Sequence, residues 1–453
     1  MLFKRYKTPG IAHFSYLIGD GGAAAVIDPK RDVDEYIEDA VKEGFRISRI
    51  FETHRNEDYL IGSTALAAKT GAEIWHADAG LAYRYGKPVE NGQTWEFGGR
   101  TFEAIATPGH TPGSMSYVLH DPSGEPWMVF TGDTLFAGDT GRTDLLGEDR
   151  IEELAEYLHD SLFEKILPLG DGVIVCPAHG SGSVCGSGII DREWTTIGLE
   201  RKLNPKLQAS GREDFIRKAG SVLPRPPYFR SMEERNLEES AAEDGLPLPV
   251  PLDPDSFEHH ARDAVVVDTR KETSYGGGHI PGSLSLWAGG IPSFAGWFIE
   301  PGTPILLVNE DDDYSEVRKS LLRIGFDNIL GYLSGGMISW YTAGKPVALM
   351  RTVSAGDFCT EIDSGGDFWV LDIRDPEELE SEGVVRGAHN IPLTQLPGRM
   401  DEVPKNKRID IFCSSGLRSM AAASLLERAG YDSVEVIYGG VQAWNSTTCP
   451  VEE

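Results

Sequence analysis

The sequence predicts a multidomain α/β protein, and three observations carry that reading. The chain has 453 residues, too many for one hydrophobic core, so about two to four domains are expected. Over residues 1–220 short apolar runs alternate with helical stretches, the pattern of sheets covered by helices. Beyond residue 250 the chain repeats itself. Val265-Val-Val-Asp-Thr-Arg270 returns as Trp369-Val-Leu-Asp-Ile-Arg374, and Gly335, Gly336 and Trp340 return as Gly439, Gly440 and Trp444. Both sets share an offset of 104 residues, so 255–347 and 350–453 read as two copies of one α/β unit.

Taken in order, Ala23–Ile27 reads as a strand closed by the Asp28-Pro29 turn, and Val33–Glu43 as an acidic amphipathic helix. Ile47–Phe51 is an apolar run of buried-strand type, followed by a loop and a helix over Ser63–Thr70. Thr101–Ile105, Trp127–Phe130 and Gly172–Cys176 read as further strands and Glu152–Leu162 as a helix. Composition shifts around Leu223–Asp253. Pro224, Pro226 and Pro227 precede a charged segment and the proline-spaced run Leu246–Pro254, so 223–254 is expected to be an extended, solvated linker.

Apolar content of 40% and charged content of 25% are those of a soluble globular protein. A formal net charge of -29 argues against nucleic acid and anionic membranes as partners. Met1–Tyr6 lacks an apolar leader core, and no stretch approaches the ~20 apolar residues of a membrane span. Five cysteines, odd in number and not spaced as a disulfide framework, suggest a reducing, cytoplasmic setting with free thiols.

Three motifs gather metal-ligand chemistry in the first 220 residues. Thr53-His-Arg-Asn-Glu-Asp-Tyr59 places His54 just past a strand, Thr107-Pro-Gly-His-Thr-Pro-Gly-Ser114 places His110 in a loop, and Phe130-Thr-Gly-Asp-Thr-Leu135 places Asp133 after another strand. All three fall at strand carboxyl ends, where an open sheet collects ligands on one rim. Two imidazoles and one carboxylate form the set that holds mononuclear non-haem Fe(II) with positions left open. His179, in Pro177-Ala-His-Gly180, is a fourth imidazole expected on the same rim.

These motifs resemble the metallo-β-lactamase superfamily and, within it, the persulfide dioxygenases. The resemblance covers roughly residues 1–220 and implies an αββα sandwich. It implies one Fe(II) per chain, held by His54, His110 and Asp133, and extends to Gly141-Arg-Thr-Asp144, which contains Arg142. The superfamily's dinuclear hydrolases carry imidazoles where this chain has Asn56 and Tyr59, and an amide and a phenol are poor replacements on zinc. A single iron is therefore the stronger expectation. Asn56 and Asp58 would orient His54 or accept its outer N–H, and Tyr59 and His179 would flank the site. Gly180 stands where many relatives have an aspartate, and the glycine-rich loop Gly180–Gly188 implies a different substrate pocket, with Cys185 a candidate to face the iron.

In the second repeat, Ile411-Phe-Cys-Ser-Ser-Gly-Leu-Arg-Ser419 runs from a strand through Cys413 into a helix beginning near Leu417. Inward-pointing amides of Ser414, Ser415, Gly416, Leu417 and Ser419, with Arg418, would cradle a thiolate or a persulfide. The Cys-x4-Arg loop, the Asp372-Ile-Arg374 element and the Gly439-Gly440…Trp444 ending resemble the rhodanese family. The repeat offset puts Asn309, inside Leu307-Val-Asn-Glu-Asp-Asp-Asp313, where Cys413 stands in the second copy. An amide cannot attack sulfur and the carboxylates would repel oxyanions, so the first copy is expected to be silent.

The whole order resembles three-domain persulfide dioxygenase–sulfurtransferase fusions of sulfide detoxification, divided as 1–222, the linker 223–254, 255–347 and 350–453. The resemblance implies oxidation of a low-molecular-weight persulfide by O2 to sulfite and a thiol, with thiosulfate made or consumed at Cys413. A homo-oligomer is plausible for such a fold. Two alternatives stand beside this reading: a zinc thioester hydrolase of glyoxalase II type fused to a sulfur carrier, and a non-catalytic persulfide sensor.

Overall fold

The computed structural model describes residues 1–239, 245–447, 449, 451 and 452. The chain divides into two compact units, residues 1–246 with 321–325, and 247–320 with 326–453. No helix among the described residues is long and apolar enough to cross a membrane.

The first unit holds two six-stranded sheets. One runs β1 (Leu2–Thr8), β2 (His13–Asp20), β3 (Ala23–Ile27), β4 (Arg46–Glu52), β5 (Glu73–His76) and β6 (Lys87–Pro88), in sequence order. Its helices are α1 (Asp34–Lys42) and α2 (Ser63–Thr70). The other contains β7 (Thr94–Phe97), β8 (Arg100–Ala106), β9 (Met115–His120), β10 (Pro126–Gly132), β11 (Ile174–Pro177) and β12 (Thr195–Thr196). Its helices are α3 (Ile151–Asp160), α4 (Ile197–Leu203) and α5 (Arg212–Ala219).

Alternation along the strands explains the layers. Tyr16, Ile18, Ala25, Ile27 and Phe51 of the first sheet share one core with Phe97, Phe102, Tyr117 and Phe130 of the second. The opposite faces pack on helices: Leu17, Val26 and Ile50 on Tyr36, Ala40 and Leu66, and Val118, Val129 and Val175 on Ala155, Leu158 and Phe215. This is the expected αββα sandwich. Strand β10 shifts register against β11 between Phe130 and Gly132, an irregularity that immediately precedes Asp133.

The stretch 223–254, expected to be a solvated linker, is structured at both ends. Residues Phe229–Arg235 form α6, with Phe229 and Met232 buried in the first unit. Val250–Leu252 pairs as a parallel strand with Ile329–Leu333 in the second unit. Residues 240–244 of that stretch lie outside the described residues. Proline spacing was misleading here because buried apolar side chains, not the prolines, decide where the segment lies.

The second unit contains two five-stranded parallel sheets of like order. The first runs Val250–Leu252, Ile329–Leu333, Ile305–Val308, Val265–Asp268, Leu284–Ser285. The second runs Arg351–Ser354, Val434–Tyr438, Arg408–Phe412, Phe368–Asp372, Ala388–Asn390. The repeat is therefore a repeat of topology. One expectation fails: Cys359 and Cys449 form a disulfide, with Cα atoms 5.9 Å apart, leaving Cys176, Cys185 and Cys413 free. Spacing missed the pair because its members are 90 residues apart and meet only through the fold.

Candidate metal centre and thiol loop

His54, His110, Asp133 and His179 follow β4, β8, β10 and β11, and all four are buried. Each histidine of the first pair has its outer nitrogen fixed. His54 Nδ1 lies 2.9 Å from Thr53 Oγ1, and that hydroxyl donates to Asp28 Oδ2 at 2.8 Å, so the ring nitrogen must be the donor to it. His110 Nδ1 donates to the Arg142 carbonyl at 2.9 Å. In the neutral rings both Nε2 lone pairs therefore point inward.

The inward atoms converge without hydrogen-bond partners. His54 Nε2, His110 Nε2 and Asp133 Oδ2 are buried and unsatisfied, with Asp133 Oδ2 3.8 Å from the first and 3.5 Å from the second. Unsatisfied buried acceptors are costly, and three aimed at one point fit a cation. The residues present therefore fit the metal that the motifs imply.

Asp133 Oδ1 is turned away and accepts from His179 Nδ1 at 2.9 Å, while His179 Nε2 meets Asp58 Oδ2 at 2.9 Å. Burial disfavours charge on His179, but Asp133 and Asp58 outweigh it and raise the imidazole well above its ordinary pKa. Both ring nitrogens of His179 are thus engaged by buried carboxylates.

The structure brings some expected residues together and separates others. Asp58 serves His179 and does not accept from His54, whose outer nitrogen is held by Thr53. The Asn56 side-chain amide reaches the His54 carbonyl at 3.4 Å and not the ring. The Tyr59 ring lies against His13, with centroids 4.1 Å apart, and its hydroxyl is 3.5 Å from the Asp28 carbonyl. The Arg142 guanidinium binds Asp144 and the carbonyls of Val184, Leu223 and Pro224, so only its carbonyl serves His110. Cys185 is fully buried, with Sγ 3.6 Å from Glu57 Oε1, and burial with nearby Asp58, Asp133 and Glu57 pushes its thiol pKa well up.

Several residues that hold the loops carried no sequence signal. Asp78 accepts from the Arg55 amide at 2.8 Å and from the Gly113 amide at 3.0 Å, tying the His54 loop to the His110 loop. Asn236 donates to the carbonyls of Asn56 and Tyr59 and accepts from the Ile61 amide, and the Tyr228 hydroxyl donates to the Asp58 carbonyl. Four buried backbone groups of residues 56–61 are thus satisfied by the segment around α6. Gly132 has φ 52°, and a side chain there would collide with Thr53, the residue that orients His54.

A cavity of about 350 Å³ opens onto His110. It is lined by Arg55, Asp78, Gly80, Leu81, Thr111, Pro112, Gly113, Leu145 and Leu146. Apolar walls with a few polar groups suit a small organic ligand.

In the second unit Cys413 directly follows the strand Arg408–Phe412, and the helix Leu417–Arg428 begins four residues on. The Gly416 amide points at Cys413 Sγ, 2.9 Å away. Ser414 is half-buried, Ser415 is exposed, and Ser419 is buried with its hydroxyl unpartnered. The Val441 and Gln442 amides donate to the carbonyls of Cys413 and Ser414. Any side chain on Gly440, at φ 51°, would strike the Cys413 carbonyl, which explains the glycine pair before Trp444. Arg418 is held in a two-pronged pair with Glu378, at 2.6 and 2.5 Å, so its charge is largely answered by protein. In the first copy Asn309 accepts from Thr269 Oγ1 at 2.7 Å, and Asp312 accepts from the Gly335 amide.

Four layers of α/β structure around a rim of histidines and carboxylates define an αββα sandwich with a candidate metal site, here followed by a twofold repeat. Comparison with known proteins gives the family. The metallo-beta-lactamase superfamily profile matches residues 8–179, and the rhodanese-like domain profile matches 253–343 and 354–447. Human persulfide dioxygenase ETHE1 is 32% identical over 236 residues, covering 50% of this chain and 84% of the relative; the Bos taurus protein is 31% identical over 242 residues with the same coverage. Hydroxyacylglutathione hydrolase GloC of Haemophilus influenzae is 29% identical over 216 residues, 43% of this chain and 92% of the relative. A crystal structure of a metallo-beta-lactamase from Staphylococcus aureus subsp. aureus COL is 30% identical, with TM-score 0.65, covering 74% of this chain and 98% of that one. The chain belongs to the metallo-β-lactamase superfamily, in a fusion whose first part is homologous to ETHE1 persulfide dioxygenase and whose remainder is two rhodanese-like domains.

Proposed function

We propose that this chain oxidises a low-molecular-weight thiol persulfide at a single iron and passes sulfane sulfur through Cys413. The observation that carries the first half is the convergence of His54 Nε2, His110 Nε2 and Asp133 Oδ2, three unpartnered buried acceptors. The overall change is persulfide, O2 and water giving thiol, sulfite and two protons. Iron, when bound there, would supply the redox chemistry by which O2 oxidises the outer sulfur.

The chain's own residues do the rest. Thr53 with Asp28, and the Arg142 carbonyl, fix the two imidazoles in the tautomer that presents Nε2. His179 selects which Asp133 oxygen faces the centre. The cavity beside His110 receives the thiol carrier, Leu81, Leu145 and Leu146 excluding water and Arg55 and Asp78 offering polar contacts. Asn56 and Tyr59 replace the imidazoles of a second metal, which favours this reading over a zinc thioester hydrolase.

At Cys413 the thiolate attacks the outer sulfur of the small-molecule persulfide, the sulfur–sulfur bond of that donor breaks with release of its thiol, and Cys413 becomes a cysteine persulfide. The persulfide's outer sulfur joins sulfite to give thiosulfate and restores the thiolate, or the same exchange runs in reverse. Val441 and Gln442 hold the loop, and the Gly416 amide faces the sulfur. Asn309 leaves the first copy without transfer chemistry. Covalent fusion raises the effective concentration of the shared intermediate.

The test is metal analysis of the purified chain together with oxygen uptake on a small-molecule persulfide. One iron per chain with uptake is expected. Stoichiometric zinc with no uptake would overturn the proposal.

A further inference from the structure

Glu57 lies in the Thr53–Tyr59 motif with no role assigned to it, yet it is fully buried beside the convergent atoms of the centre. Its Oε1 is 3.0 Å from His110 Nε2, and its Oε2 is buried with no partner. Single ligand atoms from His54, Glu57 and His110 all lie within 4.8 Å of one another. Among the described residues its carboxylate pairs with no lysine or arginine.

The hydrogen-bond pattern makes this placement informative. His110 already donates Nδ1–H to the Arg142 carbonyl, so a neutral ring presents only a lone pair at Nε2. A carboxylate oxygen 3.0 Å from that atom requires a positive charge between the two, either a proton on the ring or a metal ion. The same holds for Asp133 Oδ2, 3.5 Å from His110 Nε2. Burying two carboxylates side by side is costly without compensating positive charge, and a divalent ion with these two carboxylates and two neutral imidazoles makes a neutral set.

We infer that Glu57 is a fourth protein ligand of the metal ion held by His54, His110 and Asp133. The inference rests on the reading that one ion occupies that centre, and it changes its character. This chain has Asn56 where the hydrolases have an imidazole, and it places a carboxylate on the very next residue. Two histidines and two carboxylates bind an ion more tightly than the three-ligand set and leave one position fewer for substrate.

The test uses the full chain loaded with Fe(II) without oxygen, and its readouts are structural and thermodynamic. In a crystal structure of the loaded protein a Glu57 carboxylate oxygen is expected about 2.0–2.2 Å from the ion. Competition against a chromophoric chelator should show Glu57→Gln binding Fe(II) at least tenfold more weakly than the parent. A Glu57 carboxylate more than about 3 Å from the ion in the loaded structure would overturn the assignment while leaving the three-ligand centre intact. An ion found away from His54, His110 and Asp133 would overturn both readings together. The distance is measured on the unaltered chain, so the test stands even if Glu57→Gln fails to fold.

Discussion

His179 and Asp133 are locked together, Nδ1 to Oδ1 at 2.9 Å, and this contact decides which carboxylate oxygen is left for the centre. The other ring nitrogen is spent on Asp58. Replacing His179 by glutamine removes the ring that bridges two buried carboxylates. Fe(II) affinity should fall by about 10- to 100-fold, the usual effect of losing a group that orients a ligand. Breaking a buried charge pair should also cost about 3–5 kcal/mol of stability. Chelator competition and urea unfolding measure the two effects; unchanged affinity would mean that His179 serves the fold alone.

The thiol loop makes a separate prediction. Cys413→Ser should abolish sulfur transfer and leave uptake of oxygen on a small-molecule persulfide within about twofold, because the nucleophile takes part in sulfur transfer and not in the oxidation at the metal. Glu378→Gln should have the opposite sense. It releases the Arg418 guanidinium from its two-pronged pair, increasing the positive charge available to Cys413. Alkylation of Cys413 by iodoacetamide should then quicken several-fold, and slower or unchanged alkylation would show that Arg418 does not act on the thiol.

Much of this was legible in the sequence because strand ends and tight turns leave local marks. The runs before His54 and Asp133 alternate or stay apolar as buried strands must, and the glycines of Thr-Gly-Asp and Gly-Gly-x-x-x-Trp stand where a side chain would collide. What could not be read depends on contacts between distant segments. Asp28, Asp78, Tyr228 and Asn236 act through hydrogen bonds to residues far along the chain, and each is an unremarkable residue in its own neighbourhood. Glu57 carries no mark of its own within the Thr53–Tyr59 stretch, and only its burial beside His110 singles it out. The roles expected of Asn56 and Asp58 went astray for the same reason, since Thr53 already occupies the outer nitrogen of His54.

The bridge between Cys359 and Cys449 gives a prediction in stability. It closes a loop with a sequence separation of 90, and the chain-entropy estimate for such a loop is about 4–5 kcal/mol, with typical measured values of about 2–4. Thiol titration of the denatured, unreduced chain should find three free thiols, and reductant should raise this to five and lower the Tm of the second unit by several degrees. Five thiols before reduction would mean that the pair is not oxidised in the isolated protein.

The last prediction concerns pH. Arg408 is shared by three carboxylates: Asp410 at 3.0 Å, Glu435 at 3.3 Å and Glu361. Asp410 is the most buried of them and lies on the strand that leads into Cys413. Burial pushes its pKa up to about 7, with Arg408 opposing and Glu435 and Glu361 adding to the rise. The unfolded value is about 3.9. Below about pH 4 the folded and unfolded chains both hold this proton, and above about pH 7 neither does. Between the two only the folded chain holds it, so stability falls as pH rises through that window, at up to about 1.4 kcal/mol per pH unit. Thermal melting at pH 5 and pH 8 should therefore place the Tm of the second unit higher at pH 5 than other groups alone would set it. Asp410→Asn, which cannot titrate, should flatten that dependence and raise the Tm at pH 8. An equal pH slope in parent and variant would show that Asp410 stays ionised and that one guanidinium suffices for all three carboxylates.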